Sequence, residues 1–338
     1  MVTPLSRVHG GPDARGAVTH DFSTNANACG PCPQAQSAIR DADPTRYPDP
    51  AYSALRESLA AHHGVEPARV VCAGSGSEFI FRITAWAARQ GVRKAWLPAH
   101  GYGDYAQAAQ AWGLEPVVSP GEQSLAWACD PSSPLGAGQP DLQARAALGR
   151  WAVLDRAYEP LRLDSALALD AIALERLWQL WTPNKALGLT GVRAAYAIAP
   201  LDSAEAVAQV ESLAASWPLG SQGVAMLQAW CEPAVQQWLV ASLTILRKRK
   251  DRQVAICEGL GWTVLPSHAN FFVCRAGLEE PAPDTDLGAA MEPTLAGLRS
   301  LDIKVRDCAS FGLPGHVRLG VRPPASQDAL RQAMDAQR

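Results

Sequence analysis

Short apolar runs recur along the first two thirds of the chain, and segments with helical character follow them. They cover residues 70–73, 95–97, 151–154 and 195–198. Runs of this length without a polar residue are typical of strands that are buried on both faces of a parallel sheet. Their alternation with helical segments predicts an α/β domain with a mainly parallel central sheet.

The character of the sequence changes near Pro218. A long helical stretch is predicted at about residues 221–260, followed by strand candidates at 270–274 and 317–321 and a closing helix that carries Leu330 and Met334. This order predicts a smaller α+β domain at the C-terminal end, and 338 residues are enough for two domains. We therefore expect an N-terminal arm at residues 1–45, a large domain at 46–220 and a small domain at 221–338.

The arm is rich in Gly, Pro, Asp and Asn, which predicts an extended segment with turns. The first helix is predicted to begin after Ala51, because Leu55 and Leu59 repeat at helical spacing and Gly64 can end the helix.

Charge and composition exclude several classes of protein. The formal net charge is −3, from 30 basic and 33 acidic residues, which gives no general attraction to nucleic acid or membranes. The N-terminus lacks the apolar core of a signal peptide, and no stretch has the roughly 20 apolar residues of a spanning helix. We expect a soluble cytoplasmic protein. Cys29 and Cys32 have no second pair, and the histidines show no ligand spacing, so no metal site is expected.

Reactive residues follow the predicted strands directly. Asp155 and Tyr158 come after the run at 151–154, and Gly74, Ser75, Gly76 and Ser77 follow the run at 70–73. Open α/β sheets bind ligands beyond the carboxyl ends of their strands. A Gly/Ser loop before a helix can present N–H groups to a phosphate. The loop matches neither GxGxxG nor GxxxxGK[ST], which argues against a dinucleotide or triphosphate ligand.

The segment 181–193, Trp-Thr-Pro-Asn-Lys-Ala-Leu-Gly-Leu-Thr-Gly-Val-Arg, is the most specific motif. It places Thr182 three residues before Lys185 and Arg193 eight residues after it. This segment resembles the cofactor lysine segment of the fold-type I pyridoxal-phosphate (PLP) enzymes, the aspartate-aminotransferase-like family. The resemblance implies that Lys185 holds PLP as a Schiff base. Thr182 and Arg193 would then bind the cofactor phosphate together with the loop 74–77.

The same resemblance gives roles to Asp155 and Tyr158, which match the family's D-x-A-Y motif. Asp155 would pair with the pyridinium nitrogen and Tyr158 would contact the ring hydroxyl. These roles agree with elementary chemistry. A protonated ring is the electron sink of this cofactor, a neighbouring carboxylate favours the protonated form, and an arginine fork suits phosphate oxygens.

Three further positions extend the resemblance to the cofactor site. Tyr102 would stack on the ring, and Tyr47 would reach the cofactor phosphate of a neighbouring subunit, so a homodimer is expected. Ser133 stands where the family usually has an asparagine that donates to the ring oxygen. A serine is shorter, and this departure puts the tuning of the cofactor in doubt.

The N-terminal arm narrows the resemblance. His9-Gly10-Gly11, residues 21–27 (Asp-Phe-Ser-Thr-Asn-Ala-Asn) and residues 305–309 (Val-Arg-Asp-Cys-Ala) resemble the threonine-phosphate decarboxylases of cobalamin biosynthesis. These enzymes convert L-threonine O-3-phosphate to (R)-1-amino-2-propanol phosphate. By this resemblance Arg318 would bind the substrate carboxylate. The phosphate would be surrounded by His9, Asn27 and Arg306.

Two other functions remain open on the sequence. An aminotransferase resembling histidinol-phosphate aminotransferase has the same lysine segment, and only the arm and the Arg306 region favour decarboxylation. A non-catalytic PLP-binding protein is the other alternative, and Ser133 is the feature that most supports it.

Overall fold

A seven-stranded sheet forms the centre of the protein. The structure, a computed structural model, describes residues 9–119, 123–275 and 287–336. The strands of this sheet are β2 (Val70–Ala73), β3 (Lys94–Trp96), β4 (Glu115–Val117), β5 (Ser124–Cys129), β6 (Ala152–Asp155), β7 (Trp178–Trp181) and β8 (Ala195–Ile198). Their order is β2-β8-β7-β6-β5-β3-β4. The predicted α/β fold with a mainly parallel sheet is confirmed.

One strand departs from the prediction of parallel runs. β8 is antiparallel to both of its neighbours, β2 and β7, whereas the pairs among β3 to β7 are parallel. The connection from β7 to β8 is the lysine segment, which makes turns and contains no crossover helix. A short connection of this kind joins adjacent strands in opposite directions, because parallel neighbours need a longer crossover.

Helices cover both faces of the sheet. Successive residues of β2 face opposite cores: Val70 and Cys72 pack in one cluster, Val71 and Ala73 in another. This is the pleat of a strand that is buried on both faces. The helices up to residue 211 are α1 (Pro33–Asp41), α2 (Ser53–His63), α3 (Gly76–Arg89), α4 (Gly103–Ala111), α5 (Leu142–Ala146), α6 (Ala171–Leu174) and α7 (Ala204–Glu211).

The predicted arm of turns contains a helix that the composition concealed. α1 begins with Pro33 at its first position, where a missing N–H costs nothing, and buries Ala35. The prediction for α2 is confirmed at its end, where Gly64 adopts φ 65° and its N–H bonds to the last carbonyls of the helix.

The predicted long helix at 221–260 is two helices. α8 (Ser221–Trp230) is followed by its C-cap residue Cys231, and α9 (Pro233–Gly259) begins with Pro233. Proline cannot continue a helix from the preceding turn, but it is well suited to the first turn of a new one. Within the described residues, no helix combines the length and apolar character that crossing a membrane requires.

A second sheet lies in the C-terminal part of the chain. It is antiparallel, with the order β12-β13-β10-β9. Its strands are β9 (Thr263–Val264), β10 (Phe271–Arg275), β12 (Arg306–Asp307) and β13 (His316–Gly320), and the accompanying helices are α10 (Leu287–Ser300) and α11 (Pro324–Asp335). The arm joins this region, because β1 (His20–Asp21) pairs in parallel with β11 (Ile303–Lys304). The domain boundaries at residues 45/46 and 220/221 stay a prediction.

Candidate active site

Two connected cavities lie beyond the carboxyl ends of β2, β5, β6 and β7. The inner cavity has a volume of 120 Å³ and the outer one of 590 Å³. Lys185, Tyr158, Tyr102 and Ser133 line both of them. The predicted residues that line the inner cavity are Ser75, Gly76, Ser77, Tyr102, Ser133, Asp155, Tyr158, Thr182, Lys185 and Arg193.

The lysine segment positions an amine at the junction of the two cavities. β7 ends at Trp181, and the chain turns so that Lys185 Nζ donates to Thr182 Oγ1 at 3.1 Å. The ammonium lies 5.5 Å from the centre of the Tyr158 ring. Thr182 is buried, so its hydroxyl offers the amine a fixed partner.

A buried carboxylate lies at the floor of the inner cavity. Asp155 ends β6, and its oxygens accept from Tyr105 Oη at 2.6 Å and from the Ala157 N–H at 2.9 Å. Burial raises the pKa of Asp155, against the opposing effects of the Tyr105 hydrogen bond and the Lys185 charge. Burial thus disfavours the ionised form of Asp155, and a cationic partner in the cavity would favour it.

Tyr105 is a residue whose role the sequence did not reveal. Its ring is stacked on Trp127 with centroids 4.6 Å apart. Burial raises the pKa of Tyr105 well above the ordinary value, so the hydroxyl keeps its proton and donates a hydrogen bond to Asp155. The sequence feature that could have indicated this role is the position of Tyr105 three residues after Tyr102. This spacing places both rings on one side of the start of α4.

We expect Tyr105→Phe to reduce turnover roughly tenfold, because a hydrogen bond to a charged group contributes about 1.5–3 kcal/mol. That bond lowers the pKa of Asp155, so its loss should raise this pKa and move the acid limb of the pH–rate profile to higher pH. An unchanged acid limb would argue against the assigned contact. Tyr52→Phe is the matched control for loss of a tyrosine hydroxyl, because Tyr52 is also buried, donates to the Leu219 carbonyl and lines neither cavity.

The far end of the inner cavity offers donors for an anion. Ser75 caps α3 by accepting from the Glu78 N–H, and Ser77 Oγ lies 3.1 Å from Tyr102 Oη. Gly74 does not line the cavity, since its N–H donates to the Glu78 carboxylate. Arg193 lines this end and also a separate surface cavity of 490 Å³.

Tyr47 lies outside the inner cavity of its own chain. It lines the surface cavity beside Arg193, stacks on Trp217 at 4.5 Å and is 78% exposed. Its predicted contact with a neighbouring subunit's cofactor stays a prediction.

Two buried arginines dominate the outer cavity. Arg306 and Arg318 are direct partners across β12 and β13. Arg306 donates to Ser310 Oγ at 2.7 Å, and Arg318 donates to Ser133 Oγ at 3.3 Å and to the Ser23 carbonyl at 3.1 Å. Burial lowers the pKa of Arg306, and the charge of Arg318 lowers it further. Two adjacent buried cations make this cavity a receptor for anionic groups.

His9 lines the outer cavity as predicted, but Asn27 does not. The Asn27 amide donates to the Ala186 carbonyl at 3.0 Å and accepts from the Cys29 N–H at 2.9 Å, so it fastens the arm to the lysine segment. Asn25 faces the cavity instead. Its Nδ2 donates to Tyr158 Oη at 3.2 Å, and its buried Oδ1 has no hydrogen-bond partner among the described residues.

Ser133 touches Arg318 and faces both cavities, so its hydroxyl can accept from the arginine and donate inward. We expect Ser133→Ala to shift the pH at which the absorption band of the bound cofactor titrates, by roughly half a unit to one unit, the size of one hydrogen bond. Ser133→Asn should be tolerated. Ser132→Ala is the control, because Ser132 is buried but lines neither cavity. Identical titrations for wild type and Ser133→Ala would show that the side chain does not reach the ring.

Comparison with known proteins agrees with this geometry. The sequence profile described as "Aminotransferase class I and II" matches residues 19–336. The chain belongs to the aminotransferase class I and II family. Histidinol-phosphate aminotransferase 2 of Burkholderia mallei is 29% identical over an alignment of 349 positions, which covers 96% of this chain and 94% of that protein.

Solved structures of this fold superimpose over nearly the whole chain. Histidinol-phosphate aminotransferase from Sinorhizobium meliloti, in complex with pyridoxal-5'-phosphate, gives a TM-score of 0.77 at 22% identity and covers 96% of this chain and 93% of that one. L-threonine-O-3-phosphate decarboxylase from Porphyromonas gingivalis gives 0.72 at 19% identity and covers 94% and 98%. At these identities the likeness shows the fold.

PLP is the cofactor of this family, and the protein is a PLP-dependent enzyme of the aminotransferase type. The residues fit the group. Buried Asp155 can pair with a protonated ring nitrogen, Lys185 offers the amine, and Arg193 with the start of α3 suits the phosphate. Within residues 9–119, 123–275 and 287–336, no group of three His, Cys, Asp or Glu side chains could hold a metal ion.

Proposed function

We propose that this enzyme acts on a small phosphorylated amino compound and transfers its amino group to a 2-oxo acid. The observation that carries the proposal is the pair Arg306 and Arg318 in the cavity that also exposes Lys185. The amino donor and the 2-oxo acid each need an anion receptor in this cavity, the donor for its phosphate and the 2-oxo acid for its carboxylates. The Burkholderia mallei relative, a histidinol-phosphate aminotransferase, supports transamination over the decarboxylation expected from the sequence.

The chain supplies positioning and proton transfer. PLP, when bound, supplies an electron sink that weakens the bonds at the substrate Cα. Arg306 would hold the substrate phosphate, and Arg318 would orient the rest of the substrate molecule relative to the cofactor. This is catalysis by orientation. Lys185 Nζ, beside Thr182 Oγ1, would take the proton from Cα. Asp155 would keep the ring nitrogen protonated.

Decarboxylation of L-threonine O-3-phosphate is the second candidate, and the arm favours it. His9, Gly10 and Gly11 line the outer cavity together with Arg306, and these motifs carried the resemblance to the decarboxylases. In this reaction Arg318 would turn the substrate carboxylate out of the ring plane, so that the bond to the carboxylate breaks instead of Cα–H.

One assay separates the two reactions. The purified, PLP-loaded enzyme is offered histidinol phosphate with 2-oxoglutarate, and separately L-threonine O-3-phosphate without an acceptor. Formation of glutamate in the first reaction supports transamination. Release of CO₂ with aminopropanol phosphate in the second, without glutamate formation in the first, overturns it in favour of decarboxylation.

The two arginines should have separable effects. We expect Arg306→Ala to raise KM for the phosphorylated substrate roughly 10- to 150-fold, the cost of losing a charged hydrogen-bond partner. Arg318→Ala should also change the ratio of the products, because the substrate is no longer oriented at the ring. Arg331→Ala, on the outside of α11, serves as the control. Equal KM values for wild type and Arg306→Ala would show that Arg306 does not bind the substrate phosphate.

We also propose a homodimer. The exposed Tyr47 ring beside the cavity that leads to Arg193 supports a subunit contact at this position. Sedimentation of the purified protein tests it, and a monomer at micromolar concentration would contradict it.

A further inference from the structure

The N-terminal arm forms the outer wall of the substrate cavity. That cavity is lined by His9, Gly10, Gly11 and Pro12 together with Arg306. The wall lies very close to the segment behind it, because a Cβ on Gly10 would lie 2.1 Å from the Ser23 carbonyl oxygen. Gly11 turns the chain at φ +91°, a conformation that favours glycine.

Gly11 is held from both sides. Its N–H donates to Ser23 Oγ at 2.8 Å, and its carbonyl accepts from Lys304 Nζ. Ser23 in turn donates to Asp21 and accepts, through its carbonyl, from Arg318. The position of the wall therefore depends on the same residues that border the anion receptor.

Asp13 is the carboxylate that completes this attachment. Its Oδ2 lies 2.7 Å from Lys304 Nζ and its Oδ1 lies 3.0 Å from Arg299 Nη2. Arg299 also donates to the Gly16 carbonyl at 3.0 Å, across the turn formed by Asp13 and Gly16. One carboxylate thus joins the arm to both α10 and β11.

Lys304 connects this ion cluster to the substrate site. It is the last residue of β11 and lies two residues before Arg306, the first residue of β12. A shift of the arm at Asp13 would therefore displace Gly11 relative to Arg306. The hydrogen bond to Lys304 holds the pKa of Asp13 at about 2, so the carboxylate is ionised at any pH near neutrality.

We propose that Asp13 is a positioning residue. By binding Lys304 and Arg299, it holds the segment His9–Pro12 as the wall of the anion receptor and so sets the affinity for the substrate phosphate without touching it. The inference rests on the proposed function, because it takes the ligand of Arg306 to be a phosphate.

The test uses PLP-loaded enzyme and three variants: Asp13→Asn, Asp13→Glu and, as control, Asp328→Asn. Asp328 pairs with Arg252 on α9, lines neither cavity and is 39% exposed at its side chain, against 35% for Asp13. Two quantities are measured: the rate of tryptic cleavage after Arg15, which lies in the arm, and the Kd for inorganic phosphate by titration calorimetry. Substrate KM and kcat are then compared for the same proteins.

We expect Asp13→Asn to accelerate cleavage and to weaken phosphate binding, each roughly fivefold, as for a partly exposed ion pair. KM should rise by the same factor while kcat stays within about twofold. Asp13→Glu should lie close to wild type, and Asp328→Asn should equal it. Unchanged cleavage, or faster cleavage with an unchanged phosphate Kd, overturns the inference. If wild type does not bind phosphate, or if Arg306→Ala leaves its phosphate Kd unchanged, the proposed substrate class is refuted and with it the affinity effect. The cleavage rates then decide whether Asp13 holds the arm.

Discussion

Lys185→Ala should lower turnover by at least about 10²- to 10⁴-fold, the range for loss of a positioned proton-transfer group. The reason is that Lys185 lines both cavities, where it would meet both cofactor and substrate. The fold should survive, because this side chain is only partly buried and, among the described residues, its side-chain hydrogen bond is to Thr182.

Covalent labelling provides a second measurement for Lys185. The wild-type protein should be yellow, and borohydride should fix PLP on Lys185, as mapped by peptide mass spectrometry. Lys185→Ala should carry no fixed label, whereas Lys248→Ala, which removes an exposed lysine of α9, should be labelled like wild type. A label on another lysine, or no label in PLP-loaded wild type, would disprove the assignment.

Asp155→Asn should lower turnover roughly 10²-fold or more, which corresponds to a loss of several kcal/mol of transition-state stabilisation. Tyr105 and Ala157 donate to different oxygens of Asp155, so asparagine keeps the shape but can accept from only one of them. It also cannot pair as an anion with the ring nitrogen. Burial raises the pKa of Asp155, because it disfavours the ionised form of the side chain.

Asp130→Asn is the matched control for Asp155→Asn. Asp130 is a buried carboxylate directly after β5, but it pairs with Arg162 and lines neither cavity. This variant should lose stability, because it removes one of the two carboxylates that pair with the Arg162 guanidinium, the other being Glu159, and should keep its turnover. Near-wild-type turnover of Asp155→Asn would rule out the role given to Asp155.

Local patterns carried most of the fold prediction. The apolar runs identified strands on both sides of the sheet centre because burial on both faces excludes polar residues from a strand. They did not give the direction of β8, which depends on whether the connecting segment crosses over or turns back. Pro233 marked the start of α9, but the surrounding helical pattern concealed the break.

The sequence by itself indicated the cofactor, because Thr182, Lys185 and Arg193 lie on one short segment that resembles the cofactor lysine segment of the PLP family. Tertiary structure alone decided which residues meet them. Asn25 and Asn27 are two residues apart, and tertiary contacts place Asn27 against the Ala186 carbonyl and Asn25 in the cavity. Tyr105 reaches Asp155 across 50 residues of sequence, and Asp13 reaches Lys304 across 291. Such contacts depend on how strands and loops pack, and the spacing of residues along a chain contains no record of that packing.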